Sequence, residues 1–375
     1  MAALILVSPV IAARAQQTAL NSHEVNPDQS LTIRYYAPTA TEVAVSLDYD
    51  LRTVPLKKDA SGVWSLTTGP LQSAVHTYGL RVDGVPVLDP LNRLAEPGLI
   101  FLSNQVRVQG PEAELWDDQG APHGVVHHHV YRTAAIKGLP KDTEDYYVYT
   151  PPGYDAARPG AYPVLYLLHG WGSLADSSIV SGQANLILDN LIGQGRVVPM
   201  VIVMPQAYGD FGIITLGFDA WKHDDVIGSN VNRFSAGLLT EIIPQVEKAY
   251  HVAGDPAQRA IAGISMGGSE SLLIGLGHPE VFSWVGGFSA GVEYSSFDGL
   301  IPALDSPAYK RPTLVWEACG TEDDLIGANR RFVSWLRTKG IEPTAIETPG
   351  IHNWPVWRDN LVHFLPLLFR PSPPA

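Results

Sequence analysis

Two hydrophobic rhythms divide this chain of 375 residues. From about Asn26 to Val108, apolar and polar positions alternate in short runs, the signature of strands with one buried face. Leu31-Thr32-Ile33-Arg34-Tyr35-Tyr36 and Val43-Ala44-Val45-Ser46-Leu47-Asp48-Tyr49 show it best, separated by Pro38 and polar neighbours. Val54 to Lys58 and Gly62 to Thr67 flank a turn at Asp59-Ala60-Ser61. Tyr78 to Val82 and Val85 to Leu88 flank Asp83-Gly84, a dipeptide suited to the left-handed backbone of a two-residue hairpin. About seven short strands in about eighty residues predict a small immunoglobulin-like β-sandwich over residues 16–110. Trp64, Tyr35 and Tyr78 fall at core positions of these strands, with a sugar-stacking platform as the alternative.

Pro111 to Gly124 carries no period and predicts a connector over residues 111–124. Beyond it the rhythm changes. Tyr146 to Thr150 is a strand ending at the turn Pro151-Pro152-Gly153-Tyr154, and Tyr162 to Leu168 is a continuous apolar run. Such runs suit strands buried on both faces of a parallel sheet. Helix follows near Ser178 to Ile192, a strand over Val197 to Met204, and a helix near Ala236 to Tyr250. Further strands are predicted up to Ser265, at Phe282 to Phe288, Thr313 to Ala318 and Pro343 to Glu347. Helices fill the gaps, near Ser269 to Leu276, Asn329 to Lys339 and Val356 to Phe369. This alternation predicts an α/β unit over residues 125–375, mostly parallel, with crossover helices.

Composition narrows the function. Apolar residues make up 45% and charged residues 17%, ordinary for a globular chain. A formal net charge of −13 argues against nucleic acid or an anionic membrane as partner. Residues 1–15 are apolar and end in Ala13-Arg14-Ala15, an A-x-A cleavage pattern. The expectation is a signal peptide, without its basic start, and a periplasmic or secreted protein. A single cysteine, Cys319, forms no intrachain disulfide and is expected to be buried packing. His127-His128-His129 would alternate faces on an extended segment and so do not converge on one metal.

The candidate chemistry centres on Gly263-Ile264-Ser265-Met266-Gly267-Gly268. It reads G-x-S-x-G, the nucleophile elbow of α/β-hydrolases, where a serine at a sharp strand-to-helix turn needs small neighbours. A serine hydroxyl is a weak nucleophile and needs a base, which needs an orienting acid. In this fold the acid and then the histidine follow the serine in the chain. His278 sits at a helix end and His363 on the terminal helix. His352 lies in a loop between the last strand and the last helix, where the base belongs. The acid is expected after the strand ending at Ala318, in Gly320-Thr321-Glu322-Asp323-Asp324; its place in the turn favours Asp323, with Asp324 the alternative. Backbone amides of Met266 and of Trp171, in His169-Gly170-Trp171-Gly172, are the expected oxyanion donors. His169 is read as a loop-orienting residue. Phe211, Phe218 and Trp221, in a long loop over Tyr208 to Asn232, and Trp354 and Trp357, after His352, are candidates for contacting an aromatic substrate. Packing of their own loops is the alternative.

These stretches, with Tyr149-Thr150-Pro151-Pro152-Gly153-Tyr154, Leu167-Leu168-His169-Gly170-Trp171-Gly172 and Cys319-Gly320-Thr321-Glu322-Asp323, resemble the esterase-D-like family of α/β-hydrolases. That family includes feruloyl, acetylxylan and enterochelin esterases, and its nucleophile, acid and base fall on Ser265, Asp323 and His352. The first domain, with Trp64 and Val87-Leu88-Asp89-Pro90, resembles the CBM48-like module preceding many xylan-degrading esterases. The resemblance implies a secreted serine esterase, foremost a feruloyl esterase acting on feruloylated or acetylated xylan, without metal or cofactor. The alternatives are an acetylxylan or siderophore esterase, an acyltransferase, or a non-catalytic carbohydrate-binding protein.

Overall fold

The computed structural model describes residues 20–48, 50, 52–110, 114–138 and 142–370. The expected signal peptide lies outside the described residues. The chain forms two compact units, Met1–Glu114 and Leu115–Ala375.

In the first unit, period-two sequence becomes short antiparallel strands. They are β1 (His23–Val25), β2 (Ser30–Tyr36), β3 (Val43–Leu47), β4 (Val54–Pro55) and β5 (Lys57–Lys58). After these come β6 (Val63–Pro70), β7 (Ala74–Val82), β8 (Val85–Val87), β9 (Ala95–Pro97) and β10 (Leu102–Val108). One sheet runs β1-β2-β6-β5 and the other β4-β3-β7-β10-β9, with β8 on β7. The run Val54 to Lys58, expected as one strand, is split: β4 pairs with β3 and β5 with β6. Buried Leu56 marks the crossing between sheets. Leu31, Ile33, Val43, Val45, Leu80 and Val106 fill the core, each from the inward face of its strand. Trp64 donates its indole N–H to the Ala37 carbonyl at 2.9 Å, and Tyr78 is buried. With both rings in the core, they form no exposed stacking platform. Asp83 and Gly84 have φ of 48° and 80°, the left-handed turn the dipeptide predicts.

The second unit is built on one eight-stranded sheet. Its strands are β11 (Val125–Arg132), β12 (Thr143–Thr150), β13 (Val164–Leu168) and β14 (Val201–Pro205). The rest are β15 (Arg259–Ile264), β16 (Trp284–Phe288), β17 (Leu314–Gly320) and β18 (Thr344–Thr348). The order is β11-β12-β14-β13-β15-β16-β17-β18. β11 and β12 are antiparallel additions, and β14 to β18 are parallel. Every residue of β13, β14, β15 and β16 is buried, which is why their sequences run apolar without alternation. On one side of the sheet Phe288, Trp316 and Phe364 meet at centroid distances of 5.1–5.5 Å. Each such aromatic contact contributes about 0.5–1.5 kcal/mol beyond burial. From β13 the chain crosses to β14 on one side and later to β15 on the other. This reversal opens a crevice at the strands' C-terminal ends, where ligands bind in open α/β sheets.

Three local expectations change. The predicted helix Ser178 to Ile192 is two helices, Ser177–Val180 and Ala184–Gly193, separated by Gln183 at φ 53°. The helix expected from Ala236 starts at Asp224, running as Asp224–Gly237 and then a π-turn into Ile243–Ala249. Ile227, Val231, Phe234 and Leu238 give it a buried face at helical spacing, and Asp224 and Asp225 suit its first turn. Gly228, Ser229 and Asn230 dilute that pattern in the sequence, and the expected Tyr208–Asn232 loop instead carries the short helices Gly212–Thr215 and Gly217–Lys222 and the start of this one. Finally, residues 115–124 are not a free connector. Asn190 donates to the carbonyls of Leu115 and Asp117, and Asp189 accepts from Gly124 N–H, strapping the segment to helix Ala184–Gly193.

His127, His128 and His129 lie on β11 with alternating faces. His128 stacks on Tyr147 and pairs with Asp145, while His129 stacks on Tyr146 and bonds the Tyr250 hydroxyl. Among the described residues no group of three or more His, Cys, Asp or Glu is placed to hold a metal ion, and no helix is long and apolar enough to cross a membrane.

Candidate active site

β15 ends at Ile264 and a helix starts at Met266, leaving Ser265 alone on the turn between them. Its φ is 55° and ψ −114°, a conformation that costs a β-carbon residue energy and persists only where neighbours enforce it. The enforcement is visible. Ser265 N–H donates to Phe288 O at 2.8 Å, and Ser265 O accepts from Gly291 N–H at 2.9 Å. A Cβ on Gly263 would come within 2.3 Å of Gly267 O, and one on Gly267 within 2.5 Å of His169 O. The two motif glycines are therefore required by contact between strand, helix and the loop after β13.

His352 Nε2 lies 3.0 Å from Ser265 Oγ, and His352 Nδ1 lies 2.8 Å from Asp323 Oδ2. Because Asp323 accepts the Nδ1 proton, Nε2 is left as an acceptor for the serine hydroxyl. Asp323 Oδ1 also accepts from Leu325 N–H at 2.9 Å. Burial alone would raise the Asp323 carboxyl, but the His352 hydrogen bond and charge, with the Leu325 amide and the Ser289 hydroxyl, hold it below the ordinary carboxylate range. Asp324 is exposed, and of the two it is the buried Asp323 whose carboxylate meets His352. Asn353 caps the last helix by accepting Val356 N–H, and the Trp357 ring meets the His352 imidazole edge-on at 4.9 Å. These contacts fix the loop that carries the histidine. Cys319 is buried, and burial pushes its thiol up to about 12, so it stays protonated.

The loop after β13 runs beside Ser265, since a Cβ on Gly170 would lie 3.4 Å from the serine Cβ. Met266 is the first residue of its helix, so its N–H has no carbonyl within that helix. His169 is buried, and burial lowers its imidazole to about 4, keeping it neutral. Its Nδ1 donates to Gly170 O at 2.8 Å while Nε2 accepts from Ala207 N–H at 2.9 Å. It orients the loop, as the sequence predicts.

Of the five aromatic candidates, three gather at this loop. The Trp171 indole N–H donates to Ile213 O, its ring lies 4.8 Å from Phe218 and 6.1 Å from Trp221, and Phe211 packs on Tyr208. Phe218 is 56% exposed. Trp354 and Trp357 are elsewhere: both are buried behind His352, and Trp357 donates to the Ser289 hydroxyl at 3.1 Å. Their rings are occupied by packing and do not face an open crevice. His278 ends a helix and His363 is exposed on the last one. Ser289, Gln206, Tyr208 and Asn230 were not singled out from sequence. Ser289 directly follows β16 and Gln206 directly follows β14, so their position at the crevice edge of the sheet was the available signal.

The Esterase family model matches residues 140–368. The model of carbohydrate-binding module 48, the isoamylase N-terminal domain, matches residues 20–90. An endo-1,4-beta-xylanase/feruloyl esterase of Xylanibacter ruminicola is 31% identical over 354 residues, covering 92% of this chain and 46% of that protein. The chain spans about half the length of the curated relatives it matches. Among solved structures, a CE1 ferulic acid esterase of Anaeromyces mucronatus matches with a TM-score of 0.59 and 25% identity, over 68% of this chain and 93% of that one. Enterochelin esterase of Shigella flexneri matches with a TM-score of 0.69 and 17% identity, over 98% and 99%, a likeness of fold alone. With the family model spanning the α/β unit from β12 to the end of the last helix, the chain belongs to the esterase family, an α/β-hydrolase unit preceded in sequence by a β-sandwich of the carbohydrate-binding module 48 kind.

Proposed function

We propose that this chain is a serine carboxylic-ester hydrolase, and that its substrates are feruloyl esters of plant cell-wall xylan. The observation that carries the hydrolase reading is the continuous hydrogen-bonded series Ser265–His352–Asp323 on a strained elbow. In this reading His352 Nε2 takes the Ser265 proton as Oγ attacks the ester carbonyl, and Asp323 stabilises the imidazolium. The Met266 and Trp171 amides hold the oxyanion of the tetrahedral intermediate. His352 then gives its proton to the departing alcohol, leaving an acyl-enzyme. Water, deprotonated by His352, hydrolyses that ester and restores Ser265.

The aromatic acyl group is supported by the Xylanibacter relative and the Anaeromyces esterase, both named for ferulate chemistry. It is also supported by the Trp171, Phe218 and Trp221 rings beside the donor loop, one of them more than half exposed. Export to the periplasm or medium belongs to the same reading and rests on the apolar run ending Ala13-Arg14-Ala15.

The test is a substrate panel with a nucleophile control. Methyl ferulate should be cleaved in preference to acetylated xylan and to a catecholate triester. Ser265→Ala should lower turnover by at least about 10⁴-fold, and a fluorophosphonate probe should label wild type only. Faster cleavage of acetylated xylan or the triester would overturn the acyl assignment. Near-wild-type turnover by the alanine variant would overturn the serine mechanism, and an unlabelled wild type would point to a carbohydrate-binding protein.

A further inference from the structure

The loop that carries the Trp171 amide does little to hold itself. Gly170 and Gly172 give it its turn, Gly172 with φ 82°, and within it Ser173 N–H reaches Gly170 O at 3.2 Å. Three more of its backbone groups, Gly172 N–H, Ser173 O and Ala175 N–H, are met from the segment that follows β14. Gln206 Oε1 accepts from Ala175 N–H at 2.8 Å and Gln206 Nε2 donates to Ser173 O at 3.3 Å. Ala207 N–H donates to His169 Nε2. The Tyr208 hydroxyl accepts from Gly172 N–H at 2.8 Å and donates to Ser173 O at 3.1 Å. Tyr208 is fully buried, and burial holds its phenol well above the ordinary tyrosine range, so the hydroxyl keeps the proton it donates.

Tyr208 is itself fixed from behind. The amides of Gly209 and Asp210 both donate to Asn230 Oδ1, at 2.9 and 3.0 Å. Asn230 Nδ2 in turn donates to Glu270 Oε1 at 2.7 Å. Asn230 and Glu270 are fully buried. Glu270 stands on the helix Met266–Gly277, whose first amide belongs to Met266. The segment cannot back away either, because a Cβ on Gly209 would already sit 2.1 Å from Asn230 O. One buried hydrogen-bonded series therefore runs from the elbow helix, through Glu270, Asn230 and Tyr208, to the residues next to Trp171.

We propose that Tyr208 is a positioning residue for ester hydrolysis: through Gly172 and Ser173 its hydroxyl sets the direction of the Trp171 amide and ties that donor to the helix bearing the Met266 donor. The inference rests on the serine-esterase reading, in which those two amides hold the oxyanion. A tetrahedral intermediate demands both donors about 3 Å from one oxygen, so a loop free to tilt weakens the transition state more than the bound substrate.

The test compares wild type with Tyr208→Phe, which removes one oxygen, using 4-nitrophenyl acetate as substrate. Phenylboronic acid serves as a probe that becomes tetrahedral on Ser265. The expected result is a fall in kcat of about 10- to 100-fold, less than losing a donor outright, with KM within about twofold. Boronate affinity should fall in proportion to kcat while the thermal midpoint moves little. Gln206→Met, which loses contacts farther from Trp171, should show the same pattern with a smaller loss, and it decides the matter should Tyr208→Phe not fold. Unchanged kcat, or a lower kcat with unchanged boronate affinity, would overturn the proposal. An inactive Ser265→Ala beside a fully active Tyr208→Phe would remove the positioning role and leave the esterase reading standing. An active Ser265→Ala would remove both.

Discussion

Asp89 of the sandwich and Asp323 of the α/β unit are held almost identically. Each is 2% exposed. Each accepts, on Oδ1, the N–H of the residue two positions ahead at 2.9 Å, Leu91 for one and Leu325 for the other. Each uses Oδ2 for a ring-bearing side chain, Tyr78 at 2.7 Å or His352 at 2.8 Å. The difference lies one bond further out. The Tyr78 hydroxyl is closed off by Asn92, whose amide also reaches Gln105 O, and Asn104 bonds Asp89 and Asn92, so the series ends in a satisfied cage. Beyond His352 lies Ser265, a hydroxyl on a strained turn beside amide-bearing loops. A buried aspartate is thus no signature of a site. What marks the site is a partner that can accept a proton and pass it on.

The comparison can be broken at either aspartate. The largest effect is expected from Asp323→Asn, which should lower turnover of an aryl ester by about 10³- to 10⁴-fold by disfavouring the required imidazole tautomer. Asp324→Asn should stay within about twofold, and a larger loss from it would reverse the assignment. Because the Asp323 carboxyl is held below its ordinary value, its contribution to stability is present above the unfolded carboxylate pKa. That contribution is lost as pH falls through the lower folded value. In the sandwich, Asp89→Asn should leave kcat unchanged and cost about 1–3 kcal/mol through the disturbed cage. A lowered midpoint in denaturant unfolding of the full chain would register it, and a change in kcat would contradict the division of roles.

A third carboxyl sharpens the contrast with a smaller effect. Glu317, on β17, is buried, with neither carboxyl oxygen hydrogen-bonded among the described residues. Burial pushes it up to about 8 from the ordinary 4.5. The folded protein therefore keeps a proton that the unfolded chain releases. Its favourable contribution is complete below the unfolded value, shrinks as pH rises, and is gone above the folded one. Glu317→Gln should remove that slope, so its stability advantage over the parent grows from pH 5 to pH 8.5 in urea titrations. Parallel stability profiles would mean that Glu317 finds a partner on ionising.

The legible parts of the sequence were those where chemistry is local. Gly263 and Gly267 declare a turn that only small residues allow, and the continuous apolar run ending at Leu168 declares a strand buried on both faces. His352 was found by chain order, since the other histidines after Ser265 fell on helices. The helix starting at Asp224 was missed because Gly228, Ser229 and Asn230 interrupt its apolar stripe. Asn230 is there because its side chain braces the Tyr208 segment, a need created by packing. Trp354 and Trp357 followed the histidine closely enough to suggest a ligand platform. Their burial could not be foreseen, because it depends on a helix docking against the sheet.

The sequence by itself therefore determined the two-part architecture, the elbow and the histidine that meets its serine, because period, backbone sterics and chain order act over short distances. Tertiary structure alone brought Asp323 rather than Asp324 against His352, separated the Trp171 aromatic group from the buried tryptophans, and joined Tyr208 to the loop after β13. Adjacent residues in a turn point in different directions, and groups far apart in the chain become partners only when the sheet order brings their strand ends to one edge.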